Sequence, residues 1–89
     1  MREFSIGQVE QSTSSGGRMT CLYQILVRDV PPPVCCESYG IRITDKDSGE
    51  SEEVPDITIF PERIQVLAQM LLQGGVTPCT LRDVVEDWL

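Results

Sequence analysis

Phe60-Pro61-Glu62-Arg63-Ile64-Gln65-Val66-Leu67-Ala68-Gln69-Met70-Leu71-Leu72-Gln73-Gly74-Gly75 runs directly into Val76-Thr77-Pro78-Cys79-Thr80-Leu81-Arg82-Asp83-Val84-Val85-Glu86-Asp87-Trp88-Leu89. This stretch reads as two helices joined by a glycine turn. Pro61 suits the first helical position, where a missing N–H is no loss, and Glu62 places an anion in the first turn, where the helix dipole favours it. Ile64, Leu67, Ala68 and Leu71 fall at i, i+3, i+4, i+7 and form one apolar face, which Val66 and Met70 widen. Gly74 is expected at the left-handed position that ends such a helix. The second helix opens at Thr77-Pro78, or one turn later at Thr80 with Asp83 in a capping-box-like position. Leu81, Val84, Val85 and Trp88 repeat the same spacing, while Asp83, Glu86 and Asp87 lie off the stripe.

Upstream the period changes from helical to alternating. Arg2 to Glu10 reads as an edge strand, with Phe4, Ile6 and Gln8 on one side and Ser5, Gly7 and Val9 on the other. Gln11 to Gly17 is a connection of turn-forming residues; its Ser-Gly-Gly lacks the Gly-Lys-Ser/Thr and the helix of a phosphate loop. Met19 to Val30 is the clearest strand. Met19, Cys21, Tyr23, Ile25 and Val27 share its core face, and Thr20, Leu22, Gln24, Leu26 and Arg28 face outward. Asp29-Val30-Pro31-Pro32-Pro33 ends it, because proline cannot donate to a ladder. The three prolines read as a stiff connection rather than a docking motif.

A third strand spans Val34 to Thr44, with Tyr39, Ile41 and Ile43 alternating against Gly40, Arg42 and Thr44. Asp45 to Glu50 forms a turn. It superficially resembles a calcium loop, but Gly49 is fifth rather than sixth and Asp56 stands where a glutamate belongs. A fourth strand, Val54 to Phe60, points Ile57 and Ile59 inward, and Pro55 marks an edge or a strand start. The order β-β-β-β-α-α predicts an α+β fold, a four-stranded antiparallel meander covered on one face by two C-terminal helices. The 89 residues make one domain, 1–89, burying roughly 60–65% of its unfolded surface.

Charge and cysteine usage exclude several function classes. Fourteen acids against seven bases and no histidine give a net charge of −7, which disfavours direct nucleic-acid binding. Met1-Arg2-Glu3-Phe4-Ser5 has no apolar signal region, and no run approaches the ~20 residues of a membrane span, so a cytoplasmic protein is expected. Cys35 and Cys36 are adjacent while Cys21 and Cys79 are distant. That spacing does not suit a zinc site, and without an export signal a disulfide framework is not expected; small hydrophobic or incidental thiols are the simpler reading, with a redox or metal role as the alternative. No cofactor motif is present, and none is expected.

The pattern Tyr39-Gly40-Ile41-Arg42-Ile43, the acidic hairpin, Phe60-Pro61, Val76-Thr77-Pro78 and Leu81-x-Asp83-Val84-Val85-Glu86-Asp87 resembles a family of small uncharacterised proteins from Gram-positive anaerobes. That family is known only as a domain of unknown function, and the resemblance covers roughly residues 19–89. It implies no activity and therefore no catalytic residue.

Three function classes remain to be weighed. General acid–base chemistry would need a carboxylate pair in an enclosed cleft. Asp83 and Asp87, at i and i+4 on one helix face, read more simply as a solvated polar surface. A helix-turn-helix reader would turn Asp83, Glu86 and Asp87 toward phosphates with only Arg82 to offset them. The reading favoured is a non-enzymatic protein-interaction module that binds a protein partner or forms a homodimer, with outward Leu22 and Leu26 as an apolar patch. The alternative is a phage or mobile-element inhibitor, of the anti-CRISPR or anti-restriction type. Its acidic surface, Asp47, Glu50, Glu52, Glu53, Asp83, Glu86 and Asp87, would occupy a cationic channel built for phosphates.

Overall fold

The computed structural model describes residues 2–12, 16–33 and 36–88. Four strands, β1 (Arg2–Ser12), β2 (Arg18–Val30), β3 (Cys36–Asp45) and β4 (Ser51–Thr58), precede two helices, α1 (Pro61–Gly74) and α2 (Leu81–Trp88). The strands pair in sequence order β1-β2-β3-β4, each antiparallel to the next. Both helices lie on one face: α1 touches all four strands and α2 lies against β4. This is the α+β meander that the hydrophobic periodicities predict.

The core forms where the alternating faces of β2 and β3 meet the helical stripes. Cys21, Tyr23, Ile41 and Ile43 from the sheet pack with Ile64, Leu67, Ala68, Leu71, Leu81 and Val85 from the helices. Two strands depart from simple alternation. A register shift between Ser5 and Gly7 inserts one extra residue into β1. Alternation expects Val9 opposite Ile6; the bulge brings both against the core. The second irregularity is in β4, where Tyr39 pairs Thr58 while Ile41 pairs Val54. Pro55 and Asp56 occupy the extra length, and Asp56 is left-handed at φ 55°. The bulge presses on Gly40, where a Cβ would meet the Val54 carbonyl oxygen at 2.5 Å and the Pro55 Cα at 2.7 Å.

β4 therefore starts three residues earlier than expected and stops at Thr58. Ile59, expected inward, is 50% exposed. It lies in the corner leading to α1, where the Phe60 carbonyl already accepts the first helical bonds from Arg63 and Ile64. The third strand's expected start at Val34 and Cys35 lies outside the described residues, as do Thr13, Ser14 and Ser15 of the β1–β2 connection.

The helix turn is fastened to the sheet. Gly75, not Gly74, takes the left-handed position at φ 60°. Val76 N–H donates to Leu71 O at 3.2 Å and Gly75 N–H to Leu72 O at 3.3 Å, the paired closure of a Schellman motif. The helix simply runs one residue longer than its apolar stripe implies. From the sheet, the Tyr23 hydroxyl donates to the Val76 carbonyl at 2.7 Å and the Gln11 amide to the Gly75 carbonyl at 2.6 Å. A single 3₁₀ turn, Pro78–Thr80, then leads into α2. There the Thr80 hydroxyl donates back to the Thr77 carbonyl.

Candidate functional site

The acidic hairpin is largely occupied with holding itself together. The Asp45 carboxylate accepts the Asp47 N–H at 2.9 Å and the Ser48 hydroxyl at 3.0 Å. These bonds, the Asp47 N–H foremost, hold it below the usual carboxylate range despite its burial. Asp47 accepts the Thr20 N–H at 3.0 Å and so ties the turn to β2. No three His, Cys, Asp or Glu side chains converge on a point that could hold a metal ion, among the described residues.

Adjacent residues of a strand point to opposite faces, and Glu52 and Glu53 do so. Glu52 accepts from Arg82 of α2 at 2.9 Å, on the helix side. Glu53 accepts from Arg42 at 2.9 Å on the opposite face, where Arg42 also pairs with Glu3 across the intervening β2. Beside them Arg28 pairs with Asp56 at 3.0 Å, and this contact is the main cause that lowers the Asp56 pKa. Of the seven acids expected to bind a partner, Asp47, Glu50, Glu53, Asp83, Glu86 and Asp87 are exposed and Glu52 is half-buried. Glu52 and Glu53 are held in ion pairs, and the Asp47 carboxylate in the turn's own hydrogen bonding. The Glu52–Arg82 pair brings the hairpin beside α2, and Glu50, Glu52 and Cys79 share one hollow there.

The outward apolar patch expected from Leu22 and Leu26 does not form. Leu26 is 2% exposed. It sits in register between Glu3 of β1 and Gly40 of β3, on the face where Arg42 pairs with Glu3.

Large apolar side chains are exposed instead at Phe4 of β1, at Ile59 and Phe60 in the corner before α1, and on α1 itself. Val66 is 63% exposed and Met70 40%, so they do not widen the core face as the spacing implied. With Gln65, Gln69 and Gln73 they form the outer side of the helix and line a shallow hollow together with Glu62. Met70 also lines an adjoining hollow with Val84, Asp87 and Trp88. The Arg63 guanidinium sits 4.7 Å from the Trp88 ring centre and links the two helices there. No charged residue occurs between Arg63 and Arg82. That gap, in a chain that is 24% charged, was the available signal for this face.

Cys21, Cys36 and Cys79 are free thiols. Cys21 is buried, and burial followed by Asp45 and Asp47 pushes its thiol up. Cys36 is half-buried, and Cys79 is exposed with its sulfur 3.3 Å from the Thr77 hydroxyl. No helix among the described residues is long and apolar enough to cross a membrane.

Residues 2–89 match the model of a family of unknown function, DUF6514, and the chain belongs to that family. No curated protein and no solved structure matches it.

Proposed function

We propose that this member of the DUF6514 family is a non-enzymatic protein-interaction module of the cytoplasm, and that the outer face of α1 is its contact surface. The observation that carries this reading is the composition of that face. Gln65, Val66, Gln69, Met70 and Gln73 are exposed and uncharged on a molecule of net charge −7. Interface cores are depleted in charge and enriched in methionine in the same way. A solvated helix face in so acidic a chain would more naturally carry carboxylates and lysines. A photo-crosslinking amino acid placed at Gln69, in cells producing the protein, tests the assignment. Protein adducts are expected from position 69 and not from Gln24 on the opposite side of the sheet. Adducts from neither position would refute the reading.

A second reading, the acidic inhibitor of a nucleic-acid-binding protein, is favoured by one contact. The Glu52–Arg82 pair docks the hairpin beside α2, which gathers Glu50, Asp83, Glu86 and Asp87 onto neighbouring elements. The informative variant reverses only Glu50, Glu86 and Asp87 to lysine. Reversing Glu52 and Glu53 would set lysines against Arg82 and Arg42 and disturb the fold itself. On this reading the variant loses binding to a basic nuclease while keeping its melting temperature, and wild-type affinity falls steeply with salt.

A further inference from the structure

We infer that the partner taken by the outer face of α1 is a second copy of this chain, docked about a two-fold axis near Gln69. This rests on the reading of that face as a contact surface. Charge selects the occupant. Two copies each carry −7, so they can approach closely only where carboxylates do not oppose one another. α2 carries Asp83, Glu86 and Asp87, and on the far side of the sheet Glu3, Glu53 and Asp56 outnumber by one the Arg42 and Arg28 that pair with them. The α1 face presents amides and apolar groups alone beyond Glu62. A cationic partner would gain nothing there and would be drawn to the acids of the hairpin and α2.

The same side chains are self-complementary. A glutamine amide both donates and accepts, so Gln69 can pair with its own symmetry mate, which a carboxylate or an ammonium group cannot do. Val66–Met70 and Gln65–Gln69–Gln73 are two i, i+4 ridges with a groove between them. Such ridges interdigitate between copies at a crossing angle of about 50°. A crossing of that size also carries the two Glu62 residues away from the axis. An isologous contact of this kind uses one patch twice. The hollow beside Met70 is lined by Asp87 as well as Val84 and Trp88, so it bounds the contact on the α2 side. One helix face falls at the small end of specific interfaces, below about 1,200 Å² in total, so a dimer in the micromolar range is expected.

Salt separates this contact from an acid–cation one. Screening relieves repulsion between the two copies, so the dimer tightens as salt rises, whereas acidic mimicry weakens. Sedimentation equilibrium on the purified full chain, at about 50 and about 500 mM salt, gives the test. The wild type is expected to be a dimer whose Kd is lower at the higher salt. Val66→Glu with Met70→Glu raises Kd about tenfold or more with an unchanged circular dichroism spectrum, because both side chains are exposed. Leu22→Glu leaves Kd within about twofold. Gln69→Lys and Gln69→Glu are each weakened alone and recover when mixed, since the axis sets one against the other. A wild type that stays monomeric at about 1 mM at both salts, or a dimer insensitive to the α1 variants, overturns the proposal. A monomer that still yields crosslinks from position 69 to a different protein removes the second copy but keeps the contact face. A monomer without crosslinks removes both.

Discussion

Gly75 shows how a single residue joins the two halves of this fold. It needs a left-handed backbone, and a Cβ there would lie 2.6 Å from the Gln11 amide nitrogen and push that side chain aside. Gly75→Ala therefore strains the turn and breaks the Gln11 bond together, and should cost about 1–3 kcal/mol in chemical denaturation. Gly74→Ala, one residue earlier within the helix, should be neutral or stabilising by up to about 1 kcal/mol. Equal losses at both positions would mean that the turn does not anchor the helices. The sequence announces a glycine stop, but two adjacent glycines cannot be told apart by spacing. The left-handed backbone at the second of them decides which one must be glycine. The same holds for Leu26. Alternation puts it outward correctly, but cannot foresee that it is buried on that face.

At the level of elements, the β3–β4 hairpin is acidic for structural reasons before any functional one. Asp45 organises the turn, and its folded pKa lies below the ordinary 3.8 because the Asp47 N–H and Ser48 stabilise the carboxylate. A carboxyl whose pKa is depressed on folding contributes stability above its unfolded value and loses it as pH falls through the folded one. Asp45→Asn should lower the melting temperature at pH 7, and its stability should fall less steeply than the wild type's as pH drops below about 4. Parallel curves for the two proteins would show that Asp45 does not hold the turn. The meander and the helix pair were legible because burial imposes periods of two and 3.6 on Met19–Val30 and Ile64–Leu71. The bulges at Ser5–Gly7 and Pro55–Asp56 were not, since each is a register offset set by the partner strand. Those offsets moved Val9 inward, and the early end of β4 left Ile59 in the corner.

On the scale of the whole molecule, charge and its absence divide the surface into three. The far side of the sheet is a lattice of arginine–carboxylate pairs, the hairpin and α2 carry exposed acids, and the outer face of α1 carries no charge beyond Glu62 and Arg63. Reading acids from the sequence gave their number but not their employment, because Glu52, Glu53 and Asp56 differ from Glu50 only in having an arginine within reach. The α1 face was readable in principle as a charge gap. The apolar spacing of Val66 and Met70 drew them into the core stripe, which Leu67, Ala68 and Leu71 already fill. The most direct test of the account is a dilution series followed by backbone amide NMR, from about 1 mM down to about 20 μM. Concentration-dependent shifts are expected at Gln65, Val66, Gln69, Met70 and Gln73, and at Val84 and Trp88 beside them, while Gln24 and Arg42 stay fixed. Shifts confined to the far side of the sheet, or a spectrum unchanged over the whole range, would contradict it.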